Sequence, residues 1–350
     1  MNSQTTWPEI LGNLLGKRDL ARAQAAWAMG EIMAGRATDS QVGGFLLALR
    51  SKGETSAEIS GFVDVMLEHS VKVPVSNSAV DIVGTGGDQL GTVNISTMAA
   101  IVTAAADYPV LKHGSRSASG RTGSSEFLEA LGVKLDLSPE RLTEVFEQTG
   151  IAFFFAPLFH PALKNVVPLR KELGVPTTFN FLGPLANPVQ PIATALGVAN
   201  QAILPVVVGE LVNRGRTAVV FRGQDGLDEL TTTGTSQLYI IKDNAAQEIE
   251  FSPESLGISF SRIDDLLGGD AEQNAKTAKA LFAGNLGENP IMDIVCLNAA
   301  AAMTAFDLAQ NTGDFDFQAI MVRNYSKSRE AILAGKATLK LTQWVEETNK

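Results

Sequence analysis

The stretch Val80-Asp81-Ile82-Val83-Gly84-Thr85-Gly86-Gly87-Asp88 decides the fold that this sequence predicts. Its short apolar run is typical of a buried strand and leads straight into a glycine-rich turn. A helix is then predicted to begin near Asn94 and to continue to about Ala106. Glycines let backbone N–H groups converge on phosphate oxygens, and a helix N-terminus adds partial positive charge. The stretch therefore predicts an anion site at a strand end, with a plain strand-to-helix turn as the alternative.

Apolar runs of strand length recur after this stretch and alternate with segments long enough for helices. Such alternation predicts an α/β layer architecture with a central, mostly parallel sheet. The predicted strands are 80–83, 110–111, 151–155, 193–198 and 218–221. Residues 237–241 and 247–251 are predicted to form a hairpin, and the chain turns helical again from Asp270.

The chain before about residue 70 predicts helices only. Thr38 with Gln41, and Thr55 with Glu58, fit the capping box that opens a helix. Residues 71–78 predict a linker, and the proline-rich segment from about 164 to 188 predicts short helices crossing between two parts of the molecule. We therefore expect a small N-terminal α-helical domain, 1–75 with the crossing helices, and a larger α/β domain, 76–163 and 189–350.

Composition narrows the classes of function. The chain has 350 residues, a formal net charge of −10, one cysteine and three scattered histidines. An acidic balance argues against nucleic-acid binding, and a single cysteine favours a reducing compartment. We see no apolar run near the roughly 18 residues of a membrane helix and no signal-peptide pattern in residues 1–8. The sequence thus predicts a cytoplasmic protein without zinc, nucleic acid or membrane partners.

A basic loop follows the second predicted strand. Residues 112–125 gather Lys112, Arg116 and Arg121 among serines and glycines. Long loops after strands often carry function, and Lys112 with serine hydroxyls and backbone amides suits phosphate. A solvated flexible loop is the alternative.

Charged residues at two further places in the sequence suggest binding sites. Asp228 and Glu229 follow a predicted strand, and adjacent carboxylates suit Mg²⁺, with Ser96 as a further oxygen donor. Arg170 lies in an apolar stretch, where its guanidinium suits a substrate carboxylate. The alternatives are an ordinary acidic turn for the first site and an arginine bonded to helix-end carbonyls for the second.

Together these segments resemble the anthranilate phosphoribosyltransferase family, within the wider nucleoside phosphorylase and phosphoribosyltransferase fold family. The resemblance covers nearly the whole chain and rests on the order and spacing of its motifs. These are Gly84-Thr85-Gly86-Gly87-Asp88, Asn94-Ile95-Ser96-Thr97, the basic loop to Gly123-Ser124-Ser125, Phe181-Leu182-Gly183-Pro184-Leu185 with Asn187-Pro188, and Gly226-Leu227-Asp228-Glu229. It implies a homodimer formed through the helical domain. It also implies Mg²⁺-dependent transfer of the phosphoribosyl group of 5-phosphoribosyl 1-diphosphate to the amine of anthranilate, in tryptophan biosynthesis.

The resemblance also implies roles for single residues. Those implied to bind phosphoribosyl diphosphate are Gly84, Gly87, Asp88, Thr92, Asn94, Ile95, Ser96, Thr97, Lys112, His113, Gly114, Arg116, Ser117, Ser119, Gly120 and Ser124. Anthranilate would contact Gly84, Ser115 and Arg170, and Mg²⁺ would contact Ser96, Asp228 and Glu229. The family usually has asparagine at Ser115, whose shorter hydroxyl reaches less far toward the acceptor.

The arylamine of anthranilate is a neutral nucleophile, so we expect catalysis by positioning and charge stabilisation. No catalytic base is predicted, although His113 is a candidate. The rival functions are a pyrimidine nucleoside phosphorylase and a non-catalytic, nucleic-acid-binding relative. The carboxylate pair argues against the first, and the acidic charge with intact metal residues argues against the second.

Overall fold

The computed structural model describes residues 5–116 and 122–350. The chain opens with four helices, as predicted: α1 Trp7–Leu15, α2 Arg22–Met33, α3 Asp39–Lys52 and α4 Ser56–Glu68. The strands are β1 Val80–Gly84, β2 Val110–Gly114, β3 Ile151–Phe155, β4 Ala193–Gly197, β5 Thr217–Gly223, β6 Ser236–Lys242 and β7 Ala245–Phe251. The helices between them are α5 Ile95–Ala105, α6 Ser124–Leu131, α7 Pro139–Thr149, α8 Ala156–Phe159, α9 Val167–Leu173, α10 Phe179–Leu182 and α11 Leu204–Asn213. The chain ends with α12 Ala271–Phe282, α13 Pro290–Gln310, α14 Phe317–Leu333 and α15 Lys336–Thr348.

The strands form one sheet in the order β3-β2-β1-β4-β5-β6-β7. The strands β1 to β5 run parallel, and β6 and β7 add the predicted antiparallel hairpin. The chain builds outward from β1 on one side to β2 and on the other to β4. In open parallel sheets such a reversal leaves a crevice at the carboxyl ends of the strands, where ligands bind. The topology therefore places the glycine turn after β1 at this crevice.

The two faces of the sheet pack into different hydrophobic cores, and Leu111, Ala152 and Phe154 of β2 and β3 belong to a third, smaller core. Val80 and Ile82 pack with α5 and α13 on one face of the sheet. Val83 and Val220 pack on the other face with α11 and the N-terminal helices. The predicted fold class, a helical N-terminal part and a larger α/β part with a mostly parallel sheet, is confirmed. The division at residue 75 stays a prediction.

Both predicted capping boxes form. Thr55 Oγ accepts the N–H of Glu58 at 3.3 Å, while Glu58 accepts the N–H of Thr55 at 2.8 Å. Glu58 also accepts the N–H of Leu20 at 2.8 Å and lies 3.0 Å from Lys52 Nζ. This cap therefore also ties α4 to the segment before α2 and to the end of α3.

The proline-rich segment forms short pieces, as predicted. It contains α9, α10 and single 3₁₀ turns at Pro161–Asn165 and Gly183–Leu185. Proline removes a helical N–H donor and fixes φ, which keeps each piece short. Asn165 donates to the carbonyl of Met33 at 2.9 Å, so the segment is tied to the N-terminal helices.

Helix α13 is the one described helix that is long and apolar enough to span a membrane, with a mean hydropathy of 1.5. The sequence pattern did not single it out, because Asp293 and Asp307 interrupt its apolar residues. In the structure 78% of the apolar window is buried, against α5, α14 and the sheet. Its place in the core accounts for its composition.

Candidate active site

A cavity of about 710 Å³ opens at the carboxyl ends of β1 and β2. Its volume is in the range of small-molecule sites. The predicted residues that line it are Gly84, Gly87, Asp88, Thr92, Asn94, Ile95, Ser96, Lys112, His113, Gly114, Ser115, Arg116, Ser124, Arg170, Asp228 and Glu229. Thr97 is buried and does not line the cavity. The predicted residues Ser117, Ser119 and Gly120 lie outside the described residues.

The turn after β1 depends on glycine at two kinds of position. Gly86 and Gly87 have φ of +67° and +86°, in the left-handed region that side chains disfavour. At the strand ends, a Cβ on Gly84 would overlap the Asp228 carboxylate, and one on Gly197 would overlap the Asp228 carbonyl. The glycines therefore let the turn carrying Asp228 lie directly on the ends of β1 and β4.

Asp228 and Glu229 form a buried carboxylate pair. Asp228 accepts the N–H of Gly86 at 2.6 Å, and Glu229 accepts the N–H of Ser96, at the start of α5, at 3.0 Å. Burial, reinforced by Asp88, raises the pKa of Asp228 to about 7. Burial and the charge of Asp228 raise the pKa of Glu229 well above its usual value. Burial thus opposes ionisation of the pair, and a bound cation would favour the ionised form.

The donors of this pair suit a hard cation. Carboxylate and hydroxyl oxygens are what Mg²⁺ prefers, and it usually takes only one or two carboxylates plus substrate phosphates. No group of three His, Cys, Asp or Glu in residues 5–116 and 122–350 could hold a metal by itself. The residues thus fit a magnesium ion that is held jointly by protein and substrate.

Lys112 lies beneath the cavity at the end of β2. Its Nζ donates to the carbonyl of Ile82 and lies 3.5 Å from Ser96 Oγ. Burial lowers the pKa of Lys112, whereas the charges of Asp81, Glu229 and Asp228 act to raise it. The Lys112 amine is therefore held beside Ser96 and the carboxylate pair.

His113 is buried beside His160, with ring centroids 5.2 Å apart. Burial and His160 lower the pKa of His113 to about 3, so the ring is neutral at pH 7. Its Nδ1 lies 3.1 Å from the carbonyl of Gly183, which fixes the proton on Nδ1. Nε2 is a buried acceptor for which the described residues offer no donor. Such a ring accepts a hydrogen bond but is a poor base.

Arg170 reaches the cavity from α9. Its Nη2 donates to Asn180 Oδ1 at 3.2 Å, and its guanidinium lies 5.6 Å from the centre of the Phe179 ring. Burial lowers its pKa. Its Nε is buried, with no partner among the residues described. The guanidinium thus lines the cavity, and its bond goes to a side-chain amide rather than to a helix-end carbonyl.

Two predicted residues lie at the rim of the cavity. Ser115 is exposed there, and its carbonyl accepts the N–H of Ser125 at 3.4 Å. Arg116 is also exposed and forms a bidentate ion pair with Glu129, at 2.9 and 3.1 Å. Their roles toward substrates stay predictions.

Comparison with known proteins identifies the family. Residues 8–70 match the glycosyl transferase family, helical bundle domain, and residues 76–338 match the glycosyl transferase family, a/b domain. The anthranilate phosphoribosyltransferase of Leifsonia xyli subsp. xyli is 49% identical to this chain, over 99% of this chain and 100% of its own length. The chain belongs to the anthranilate phosphoribosyltransferase family. The predicted family, enzyme class and function are thereby confirmed over the rival activities.

Solved structures of anthranilate phosphoribosyltransferases share the whole fold. The Thermus thermophilus protein has a TM-score of 0.88 and 35% identity, covering 97% of this chain and 99% of its own. The Saccharomyces cerevisiae protein, in complex with phosphoribosyl diphosphate and Mg, has a TM-score of 0.87 and 25% identity, covering 99% of each chain. The yeast protein has also been solved with 4-fluoroanthranilate.

Some residues that build or support this cavity were not predicted from the sequence. Asp81 is buried in β1 and accepts the backbone N–H of His113 at 3.2 Å and the amide of Asn187 at 2.8 Å. An acid within an apolar strand was the available signal. The loop before α12 with Asn274 forms another wall of the cavity, and nothing in its local sequence marked it.

Proposed function

We propose that this chain transfers the phosphoribosyl group of 5-phosphoribosyl 1-diphosphate to the amine of anthranilate within the cavity described above. The products are N-(5-phosphoribosyl)anthranilate and diphosphate, in tryptophan biosynthesis. One observation carries the proposal: the glycine turn and the start of α5 hold the Asp228–Glu229 pair through backbone N–H groups. This arrangement places the proposed metal ligands directly beside the glycine turn and the N-terminus of α5.

The bond that breaks joins the anomeric carbon of ribose to diphosphate. The departing group is highly charged, so its stabilisation is the main task of the site. The backbone N–H groups of the glycine turn, the N-terminus of α5 and Lys112 supply fixed positive potential. Because these groups are already ordered, little reorganisation is needed as charge develops.

Ser96, Asp228 and Glu229 are the residues that would hold Mg²⁺. The bound ion would neutralise charge on the diphosphate. Asp228 and Glu229 would bind it in their ionised forms, and their backbone hydrogen bonds keep the oxygens oriented. The magnesium complex of the yeast relative supports this assignment.

Arg170 would receive the carboxylate of anthranilate, since its side chain lines the cavity and Asn180 holds its guanidinium from one side. Ser115 and Gly84 lie on the same cavity. The arylamine attacks as a neutral group and loses its proton after the C–N bond forms. His113 lines the same cavity, but burial lowers its pKa to about 3, which does not suit it to strong base catalysis.

Product identification tests the proposal against the phosphorylase alternative. The protein is incubated with phosphoribosyl diphosphate, Mg²⁺ and anthranilate, and separately with uridine and inorganic phosphate. Mass spectrometry should find phosphoribosylanthranilate in the first mixture and no free uracil in the second. Uracil release without any anthranilate product would overturn the proposal.

We also infer a homodimer formed through the N-terminal helices. Leu15 on α1 and Leu47 on α3 are 74% and 45% exposed, and α1 packs against α3. Apolar side chains exposed on adjoining helices suit a second apolar surface. A cytoplasmic location also stays a prediction, drawn from the single cysteine and the biosynthetic role.

A further inference from the structure

A chain of hydrogen bonds joins three segments along one wall of the cavity. Asn274 of α12 donates to Asn94 Oδ1 at 2.8 Å, and Asn94 Nδ2 donates to the carbonyls of Thr122 and Gly123 at 3.2 and 3.5 Å. Thr122 Oγ donates to the carbonyl of Gly269 at 3.0 Å, which closes the circuit. We call these five residues the asparagine latch.

The donors and acceptors of the latch admit only one arrangement. The N–H of Gly269 can only donate, so the oxygen of Asn274 faces it, at 2.7 Å. The Asn274 amide nitrogen then faces Asn94, which must present its oxygen. The Asn94 nitrogen is left facing two carbonyls, which can only accept. Each amide is therefore oriented by the next one along the circuit.

The neighbouring backbone supports the same contact. Gly268 N–H donates to the carbonyl of Gly91 at 2.8 Å, and Thr92 forms an antiparallel bridge with Leu267. Asn274 itself is 1% exposed. A buried amide with both of its polar atoms bonded holds its neighbours in one geometry, since breaking either bond leaves an unpaired buried group.

We propose that Asn274 is a positioning residue for phosphoribosyl diphosphate: through Asn94 it fixes Thr122, Gly123 and the start of α6 beside the glycine turn. The inference rests on the proposed function, because the site that it positions is the donor site. In this arrangement both N–H groups of the Asn94 side chain are directed at protein carbonyls. Asn94 therefore orders the wall of the site through its side chain.

The latch makes a kinetic prediction that separates the two substrates. Asn274→Ala leaves the Gly269 N–H and the Asn94 oxygen unpaired, so the KM for phosphoribosyl diphosphate should rise about tenfold. The KM for anthranilate and kcat should stay within about twofold, because Arg170 and the metal carboxylates lie outside the latch. Steady-state kinetics with each substrate varied gives both values.

Two further variants keep the test decisive if Asn274→Ala folds poorly. Thr122→Val removes only the hydroxyl of a partly exposed residue and should raise the same KM about threefold. Thr277→Val is the matched control, since Thr277 on α12 donates within its own helix, to the carbonyl of Gln273, and has no other side-chain partner among the described residues. It should match the wild type in both KM values.

A double-mutant cycle tests whether Asn274 affects the binding of phosphoribosyl diphosphate through Asn94. If Asn274 acts through Asn94, the variant with both residues changed to alanine should bind phosphoribosyl diphosphate no more weakly than Asn94→Ala alone. Additive losses would overturn the proposal. So would equal rises in both KM values, or an Asn274→Ala enzyme with wild-type kinetics.

A failure of the proposed function can be distinguished from a failure of the latch proposal. Wild-type protein that makes no phosphoribosylanthranilate would contradict the function, whatever the variants do. Calorimetric binding of phosphoribosyl diphosphate with Mg²⁺ needs no acceptor and still compares the wild type, Asn274→Ala and Thr122→Val. Equal affinities for the three would overturn the latch alone.

Discussion

Buried ionisable side chains set the chemistry of the cavity. Asp228 and Glu229 lie together at the strand ends, where burial raises the pKa of each and opposes their ionisation, and the positive charge of Lys112 would favour it. Burial of unbalanced charge is costly unless a ligand completes the site. The cavity is therefore organised around groups that phosphoribosyl diphosphate and magnesium would bring.

Asp228→Asn combined with Glu229→Gln keeps the shapes of both side chains and removes their charges. We expect Mg²⁺-dependent turnover to fall about 100-fold or more. Asp264→Asn with Asp265→Asn, an exposed adjacent pair, is the matched control and should leave turnover unchanged. Titration of activity with Mg²⁺ checks this, and an unaltered magnesium dependence would remove the pair from the metal site.

The raised pKa of Asp228 predicts a pH-dependent metal response. The folded protein keeps this carboxyl protonated up to about pH 7, whereas an unfolded chain releases the proton near its ordinary value of 3.8. The metal-free stability contributed by this group therefore falls as pH rises between these values. Mg²⁺ must displace the proton, so the rise in melting temperature on adding Mg²⁺ should be larger at about pH 8 than at about pH 6. An equal or larger rise at the lower pH would contradict the assignment.

Arg170→Ala should raise the KM for anthranilate about 100-fold and leave that for phosphoribosyl diphosphate within about threefold, because a charged hydrogen-bonded pair is lost at one substrate only. Lys171→Ala, at the exposed neighbouring position, is the control. Equal rises in both KM values would show that Arg170 supports the fold of the crossing segment instead.

Asp81 shows where prediction from single residues stops. Asp228, Glu229 and Arg170 were candidates from their local sequence, where an acidic turn and a structural arginine stayed open, and their roles are those that the family resemblance implies. Asp81 lies within a predicted strand, yet it bonds the N–H of His113 and the amide of Asn187. Its partners lie on other segments of the chain. The spacing of residues along the sequence does not show which distant segments come into contact.

The strands and helices were largely predictable, because hydrophobic period and capping residues are local. The predicted and observed lengths of the second strand differ: residues 110–111 were predicted, whereas β2 continues to Gly114. Lys112 and His113 are polar, and their local sequence predicts a loop. They continue the strand because Ile82, Gly183 and Asp81 satisfy their buried polar groups.

The ends of β1 and β4 lie in close contact with the turn that carries Asp228. Adding a side chain at this contact should therefore destabilise the fold. Gly197→Ala should lower the free energy of unfolding by about 3 kcal/mol, because its Cβ would overlap a backbone carbonyl that cannot move aside easily. Gly43→Ala, in α3 with open space around its Cα, should be neutral or stabilise by up to about 1 kcal/mol. Urea unfolding measures both, and equal stabilities would contradict the close packing.

The whole molecule is acidic, with a net charge of −10, yet its proposed donor is a dense polyanion. The net charge argues against a broad basic surface. An acidic protein can still bind a polyanion if its positive potential is concentrated at one site. Backbone N–H groups, a helix N-terminus and one buried lysine concentrate positive potential in the cavity. Binding therefore depends on the assembled strand ends rather than on overall charge.

The inferred dimer predicts a mass of twice the 37.1 kDa chain in sedimentation equilibrium. Leu15→Glu with Leu47→Glu should give monomers, because two charges would enter the apolar contact. Leu339→Glu places the same charge on α15, where Leu339 is 70% exposed, and should leave the dimer intact. A monomeric wild type, or dissociation by Leu339→Glu instead, would contradict this interface.

The most direct test is the fluorescence of anthranilate in the presence of the purified protein. With phosphoribosyl diphosphate and Mg²⁺ the fluorescence should fall continuously as phosphoribosylanthranilate forms, and chelation of the metal should stop the fall. A folded protein that leaves the fluorescence constant with both present would contradict the proposed transfer.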